Sequence, residues 1–169
     1  MKGGGEELII REVRGGEDID TVRALFLSYR EYLGVDLGFQ DFDTELKDLP
    51  GAYTPPGGCL LLASIASGPA GCVALKPSRP GVCEMKRLFV SPDFRGHGIG
   101  RALAETIIEK AAGLGYRSMV LDTLDTLHSA IALYGSLGFS RTAPYYHNPL
   151  PGVLFWCLEL TSENENSNP

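Results

Sequence analysis

The sequence predicts a mixed α/β (α+β) fold in a single domain. Three observations carry this reading. Strand-like apolar runs and helix-period segments share nearly the whole chain, with no long linker between them. Several strands crowd the first half, after which strand and helix alternate. One glycine-rich stretch joins a strand directly to a helix. The 169 residues suit one domain. A chain of this length buries roughly 70% of its unfolded surface, so it needs neither a disulfide nor a metal to hold a core.

Residues 8–13 read as a first strand. Asp18 is placed to cap a helix over 19–33, where Val22, Leu25, Phe26, Tyr29 and Leu33 follow three-and-four spacing and Gly34 stands just past the end. A weaker helical turn covers 42–49 and stops at Pro50. The stretch 50–58, rich in proline and glycine, is loop. Apolar runs at 59–66 and 71–76 flank Ser67-Gly68-Pro69, a hairpin signal, and 77–81 leads into a third strand at 82–90. The glycine-rich stretch 91–100 opens a helix that reaches about residue 112, with its apolar stripe at Ile99, Ala102, Leu103, Ile107 and Ala111. A strand at 116–122, a helix at 129–137 closed by Gly138, a strand from Phe139, a Pro-rich stretch at 144–152 and a last strand at 153–160 complete the order. At least one parallel crossover is expected around the glycine-rich stretch. Residues 1–160 form the expected domain. The tail 161–169, made of Ser, Glu and Asn without an apolar residue, is expected to be disordered.

Charge and cysteine content narrow the function classes. Fifteen basic against 21 acidic residues give a net charge of −6, which argues against a nucleic-acid binder and against a polybasic membrane anchor. No apolar run is long enough to span a bilayer, and the first seven residues lack the apolar stretch of a secretory signal, so a cytoplasmic location is expected. Cys59, Cys72, Cys83 and Cys157 show no C-x-x-C and no Cys/His ligand spacing. They read as reduced core residues, with no metal site.

The chemistry concentrates at Arg95-Gly96-His97-Gly98-Ile99-Gly100-Arg101. A strand feeding a glycine-rich turn into a helix N-terminus makes an anion site, because unpaired N–H groups point outward and the helix dipole adds positive potential. Glycines at alternate positions admit a phosphate closely, and Arg95, His97 and Arg101 surround the opening. A P-loop is excluded, since no Lys-Ser or Lys-Thr follows these glycines. The dinucleotide fingerprint fails at its third small residue in both registers, where Arg101 or Leu103 stands, although Asp122 ends the next strand.

The pattern that remains is Arg-x-x-Gly-x-Gly, at Arg95, Gly98 and Gly100, preceded by Val90-Ser91-Pro92. With the strand Glu84-Met85-Lys86-Arg87-Leu88-Phe89-Val90 it resembles the central motif of the GNAT superfamily of acetyl-CoA-dependent N-acetyltransferases. The segment from Ala130 to Phe139 resembles that family's helix followed by Gly-Phe. The resemblance covers roughly residues 8–160. It implies a mixed, mostly antiparallel central sheet with helices on both faces and a splayed central parallel strand pair.

The same resemblance implies an N-acetyltransferase that transfers the acetyl group of acetyl-CoA to an amine of a small molecule or peptide. The pyrophosphate would lie on the backbone of Arg95, Gly96, His97, Gly98, Ile99, Gly100 and Arg101, and the pantetheine arm on Leu88, Phe89 and Val90. Tyr134 matches the helical tyrosine that protonates the leaving thiolate. Glu84, eleven residues before Arg95, matches a catalytic glutamate that serves as general base, and Asp122 and His128 are the fallback candidates. A solvent-facing Glu84, or its pairing with Lys86, which shares its strand face, is the alternative for that carboxylate. Tyr32, Phe39, Tyr145, Tyr146 and His147 are the expected acceptor lining. Leu127 stands where many members carry an asparagine. A monomer or homodimer is expected. The rival readings are a catalytically inert acyl-CoA-binding module and a nucleotide-binding regulatory module.

Overall fold

The computed structural model describes residues 6–160; the tail at 161–169 lies outside them. In chain order the elements are β1 (Ile9–Glu12), α1 (Glu17–Leu33), a 3-10 turn (Gly38–Gln40), α2 (Phe42–Asp48), β2 (Cys59–Ile65), β3 (Gly68–Arg79), β4 (Val82–Val90), a second 3-10 turn (Pro92–Phe94), α3 (Ile99–Gly113), β5 (Ser118–Leu124), α4 (His128–Ser136), β6 (Ser140–Arg141) and β7 (Val153–Glu159). The strands form one sheet in the order β1-β2-β3-β4-β5-β7-β6. Every neighbouring pair is antiparallel except β4 and β5, which α3 connects as a parallel crossover.

Two apolar cores lie on the two faces of this sheet. On one, α3 and α4 bring Leu103, Ile107 and Tyr134 against Val73, Cys83, Met85 and Met119. On the other, α1 and α2 bring Val22, Phe26, Phe42 and Leu46 against Leu60, Leu62, Cys72, Ala74 and Phe89. The α1 stripe anticipated by its spacing buries Ile19, Val22, Leu25 and Phe26. Its start differs from the expectation. Gly16, at φ +72°, is the N-cap, and Asp18 sits inside the first turn, where it accepts from Arg11 at 2.8 and 2.9 Å. The carboxylate pays more there by pairing with Arg11 and the helix dipole than by capping. β3 also runs further than expected. Pro77 continues it because β2 makes its last pair at Cys59 opposite Leu75, so the missing proline N–H falls beyond that partner.

Cys59, Cys72 and Cys83 are buried and Cys157 is half-buried; all four are free thiols. Among the described residues, no helix is long and apolar enough to cross a membrane.

Two irregularities of β4 position the site. Cys72 lies opposite Phe89 but Ala74 lies opposite Lys86, so β4 carries one more residue than β3 across this stretch. This is a β-bulge, and Arg87 takes the left-handed backbone (φ +60°) within it. The second irregularity is the short ladder to β5. Only Val82, Cys83 and Glu84 pair with Ser118, Met119 and Val120. Beyond them both strands continue, but apart, and a wedge opens between them.

Candidate active site

The wedge is the root of a cleft of about 490 Å³. One wall is Leu88, Phe89 and Val90 of β4, continued by Arg95, Gly96, Gly98, Ile99 and Gly100. The other is Thr126 to Ala130 and Leu133, at the start of α4. Gly98 is the N-cap of α3 at φ +75° and makes no side-chain cap bond. The first N–H groups of α3 therefore have no partner in the helix and face the cleft's rim. Gly96 is left-handed too (φ +82°), and a Cβ added at either glycine would meet nothing within 4 Å. A side chain there would fill open space on the cleft wall. Arg95 donates from Nε to the Val90 carbonyl at 3.0 Å, and its guanidinium lies 4.2 Å from the Tyr32 ring centre.

A smaller chamber of about 70 Å³ adjoins the cleft; Tyr29, Leu33, Leu88, Leu127 and Ala130 line both. Its polar lining includes Gln40, Lys86, Arg87, Asp122, Tyr134 and Asn148. Arg87 is held on three sides. Glu45 accepts from it at 2.9 and 3.2 Å, Gln40 accepts at 2.8 Å, and the Phe42 ring centre lies 4.9 Å from its guanidinium. The loop before β7 closes the chamber from behind. Tyr146 and Asn148 both donate to Asp122, while Gln40 donates to Tyr146 at 2.9 Å and so ties this loop to the turn before α2. Tyr145 donates to Glu84 at 2.6 Å. Burial, then the nearby carboxylates, pushes the Tyr145 hydroxyl well above the usual phenol range, and Tyr146 is raised by burial and its bond to Asp122.

A strand splayed from its parallel neighbour, bulged on its other edge and running into an uncapped glycine-rich helix start suits an extended, phosphate-bearing ligand. The comparisons with known proteins decide the family. The family model described as the acetyltransferase (GNAT) family matches residues 20–139. This chain belongs to the GNAT acetyltransferase family. Over 154 residues it is 47% identical to an uncharacterized N-acetyltransferase of Schizosaccharomyces pombe, covering 90% of this chain and 94% of that protein. It is 33% identical to the N-acetylaspartate synthetase of Xenopus tropicalis, over 69% of this chain and 44% of that protein. The fold is similar to a Bacillus subtilis acetyltransferase solved in complex with CoA: TM-score 0.68, 21% identity, covering 92% and 100% of the two chains.

Within this GNAT domain the residues singled out from sequence fall in several places. Leu88, Phe89, Val90, Arg95, Gly96, Gly98, Ile99 and Gly100 line the cleft. His97 is exposed and outside that lining, and Arg101 turns to Glu105 at 3.5 Å and to Ser136. Tyr134 lines the chamber, its ring packed edge-on to Phe139 at 5.7 Å, and its hydroxyl makes no hydrogen bond among the described residues. Glu84 is buried, 5% exposed, but lines neither chamber nor cleft. Its partners are Tyr145 and, at 3.7 Å, Lys76 across the sheet, not Lys86. Tyr32 lines the cleft, not the chamber. Phe39 is 37% exposed, His147 is exposed, and neither lines the cleft or the chamber. Leu127, where the asparagine was absent, is the N-cap of α4 and lines both spaces.

Sequence reasoning did not single out Tyr29, Gln40, Arg87 or Asn148, although Tyr29, Gln40 and Asn148 fall in the segments 29–42 and 144–151 that the family resemblance assigns to the acceptor. Arg87 had a signal of its own. Two consecutive cations, Lys86 and Arg87, within an apolar strand break the two-residue alternation, as a bulge does.

Proposed function

We propose that this chain transfers the acetyl group of acetyl-CoA to the amine of a small acceptor, with the donor in the cleft and the acceptor in the adjoining chamber. The observation that carries this reading is the continuity of the two spaces, with Tyr134 and Asp122 on the chamber side. Acetyl-CoA supplies an activated thioester. The α3 N-terminus and the glycine wall would receive its pyrophosphate, and the open edge of β4 at Leu88 to Val90 would pair with its amide arm. Backbone N–H groups near Phe89 and Val90 would steady the negative charge that develops on the carbonyl oxygen. The Xenopus relative's name speaks for a small-molecule acceptor rather than a protein. The free cysteines fit a reducing, cytoplasmic setting.

Tyr134 gives its proton to the leaving thiolate. Glu84 takes the amine proton through water, with Tyr145 holding its carboxylate in place. A second reading has its own support: Asp122 lines the chamber and Glu84 does not. Glu84→Gln and Asp122→Asn separate them. The variant that loses the base should fall about 10²–10⁴-fold in kcat/KM, while the other keeps its rate within a few-fold. Equal, small losses in both would remove a carboxylate base from the scheme.

The donor assignment is tested by thermal shift with acetyl-CoA, CoA, NAD and ATP. Stabilisation by NAD or ATP with none by CoA would leave a nucleotide-binding module instead. At the glycine wall, Gly98→Val should cost about 1–2 kcal/mol of stability, because a branched residue is strained in the left-handed region. Its CoA affinity should drop by roughly 10-fold or more, the scale of one lost charge-assisted contact. Unchanged affinity would make the glycines conformational only.

A further inference from the structure

Lys86 stands one residue before the bulge in β4. It is 9% exposed and lines the acceptor chamber. Its ammonium has a single partner among the described residues, the Gln40 Oε1 at 3.5 Å, too long for a strong hydrogen bond. That oxygen already accepts from Arg87 at 2.8 Å. The neighbouring carboxylates are engaged elsewhere. Glu45 holds Arg87, Glu84 takes Tyr145 and Lys76, and Asp122 takes Tyr146 and Asn148. An ammonium buried without a counter-charge is costly, and a lysine carries three donors. The chamber therefore holds a cation with no ion-pair partner among the described residues. It also holds an anion: both bonds to Asp122 fall on Oδ2, which leaves Oδ1 without a partner among the described residues.

We propose that the acceptor is a small amino acid, its carboxylate paired with Lys86 and its amine presented toward Asp122 and Tyr134. The inference rests on the acetyltransferase reading and names the acceptor of that same site. A polyamine offers Lys86 no acceptor, and the N-terminal residue of a peptide offers a neutral carbonyl in place of a carboxylate. Arg87, charge-paired with Glu45 and bonded to Gln40, shapes the wall beside Lys86 and leaves the carboxylate to it. Burial, and then the Arg87 charge beside it, weakens the hold of Lys86 on its proton, with Glu84 and Asp122 acting in the opposite sense. A bound carboxylate adds to that opposing group and holds the lysine charged.

The test measures thiol release from acetyl-CoA with a panel of L-amino acids, each beside its carboxamide, and with spermidine. The best amino acid should exceed its carboxamide by roughly 10–100-fold in kcat/KM, the scale of a hydrogen bond to a charged group. In Lys86→Met that ratio should fall toward one, mainly through KM for the amino acid. Thermal stabilisation by CoA checks that the variant is folded, and Lys86→Gln replaces it if it is not. Carboxamides or spermidine accepted as well as amino acids, or a ratio that survives loss of the lysine, would overturn the inference while the acetyltransferase reading stands. Stabilisation by CoA with no turnover of any amino acid overturns it as well. An absence of both CoA stabilisation and thiol release removes the acetyltransferase reading itself.

Discussion

Tyr134→Phe should keep the melting temperature close to that of the parent and lower turnover by about 10²–10⁴-fold, the contribution of a positioned general acid. The structure separates the two effects cleanly. The ring is buried and packs on Phe139, so its apolar contacts survive the change. The hydroxyl makes no hydrogen bond among the described residues, so no buried partner is orphaned by its loss. Both kcat and kcat/KM should fall, because the proton is needed in the transition state and not for binding. Burial, reinforced by Tyr29 and Asp122, raises this hydroxyl well above the ordinary tyrosine range. The sign follows directly. The proton stays on Tyr134 through neutral and mildly alkaline pH, so any activity lost near pH 9–10 belongs to another group and should persist in the residual activity of the variant. Normal kcat in the folded variant would remove Tyr134 from the chemistry and turn attention to water or His128.

Arg87→Met should be the most destabilising of the substitutions considered, at about 3–5 kcal/mol, because it strands the partly buried Glu45 carboxylate of α2 without its cation. For a chain of this size that is a fall of roughly 6–20 °C in melting temperature. The Arg87 side chain is 3% exposed and that of Glu45 18%, and Tyr53 also donates to Glu45 at 2.8 Å. Removing both charges, in Arg87→Met with Glu45→Gln, should recover a large part of the loss. A double-mutant cycle by chemical denaturation measures the coupling. The same guanidinium anchors the left-handed residue of the bulge, so turnover should fall even in the double variant, where stability is partly restored. A single variant within 2 °C of the parent would show that the backbone holds the bulge unaided.

The order of elements was legible because each rests on local pattern: the three-and-four stripe of α1, the Gly-closed ends of α1 and α4, and the uniform apolar run of β2. The glycine wall was legible for the same reason, since strand, turn and helix start are contiguous in the chain. The smaller chamber was not. Gln40, Lys86, Asp122 and Asn148 come from four separate segments, and only the tertiary fold makes Tyr146 of the last loop meet both Asp122 and Gln40. Glu84 illustrates the limit from the other side. Its place on the strand was readable, but its engagement by Tyr145, 61 residues further on, was not. Gly71 is similar: nothing local marks it, yet a Cβ there would stand 2.5 Å from the Phe89 carbonyl oxygen across the bulge.

Three residue pairs are all that join β4 to β5, so the sheet is two half-sheets hinged at a short ladder. Beyond those pairs, the facing edges of β4 and β5 make no ladder to each other. A donor bound in the wedge, as proposed, would take the place of the missing rungs, and its binding energy would then count toward the cohesion of the whole domain. At a free concentration one hundred times its dissociation constant, such a guest adds about 2.7 kcal/mol to stability. The lifetime of the folded chain in a cell would then follow the supply of its donor: long when the acyl carrier is plentiful, short when it is scarce. Starvation for the donor would thin the enzyme population as well as slow each molecule.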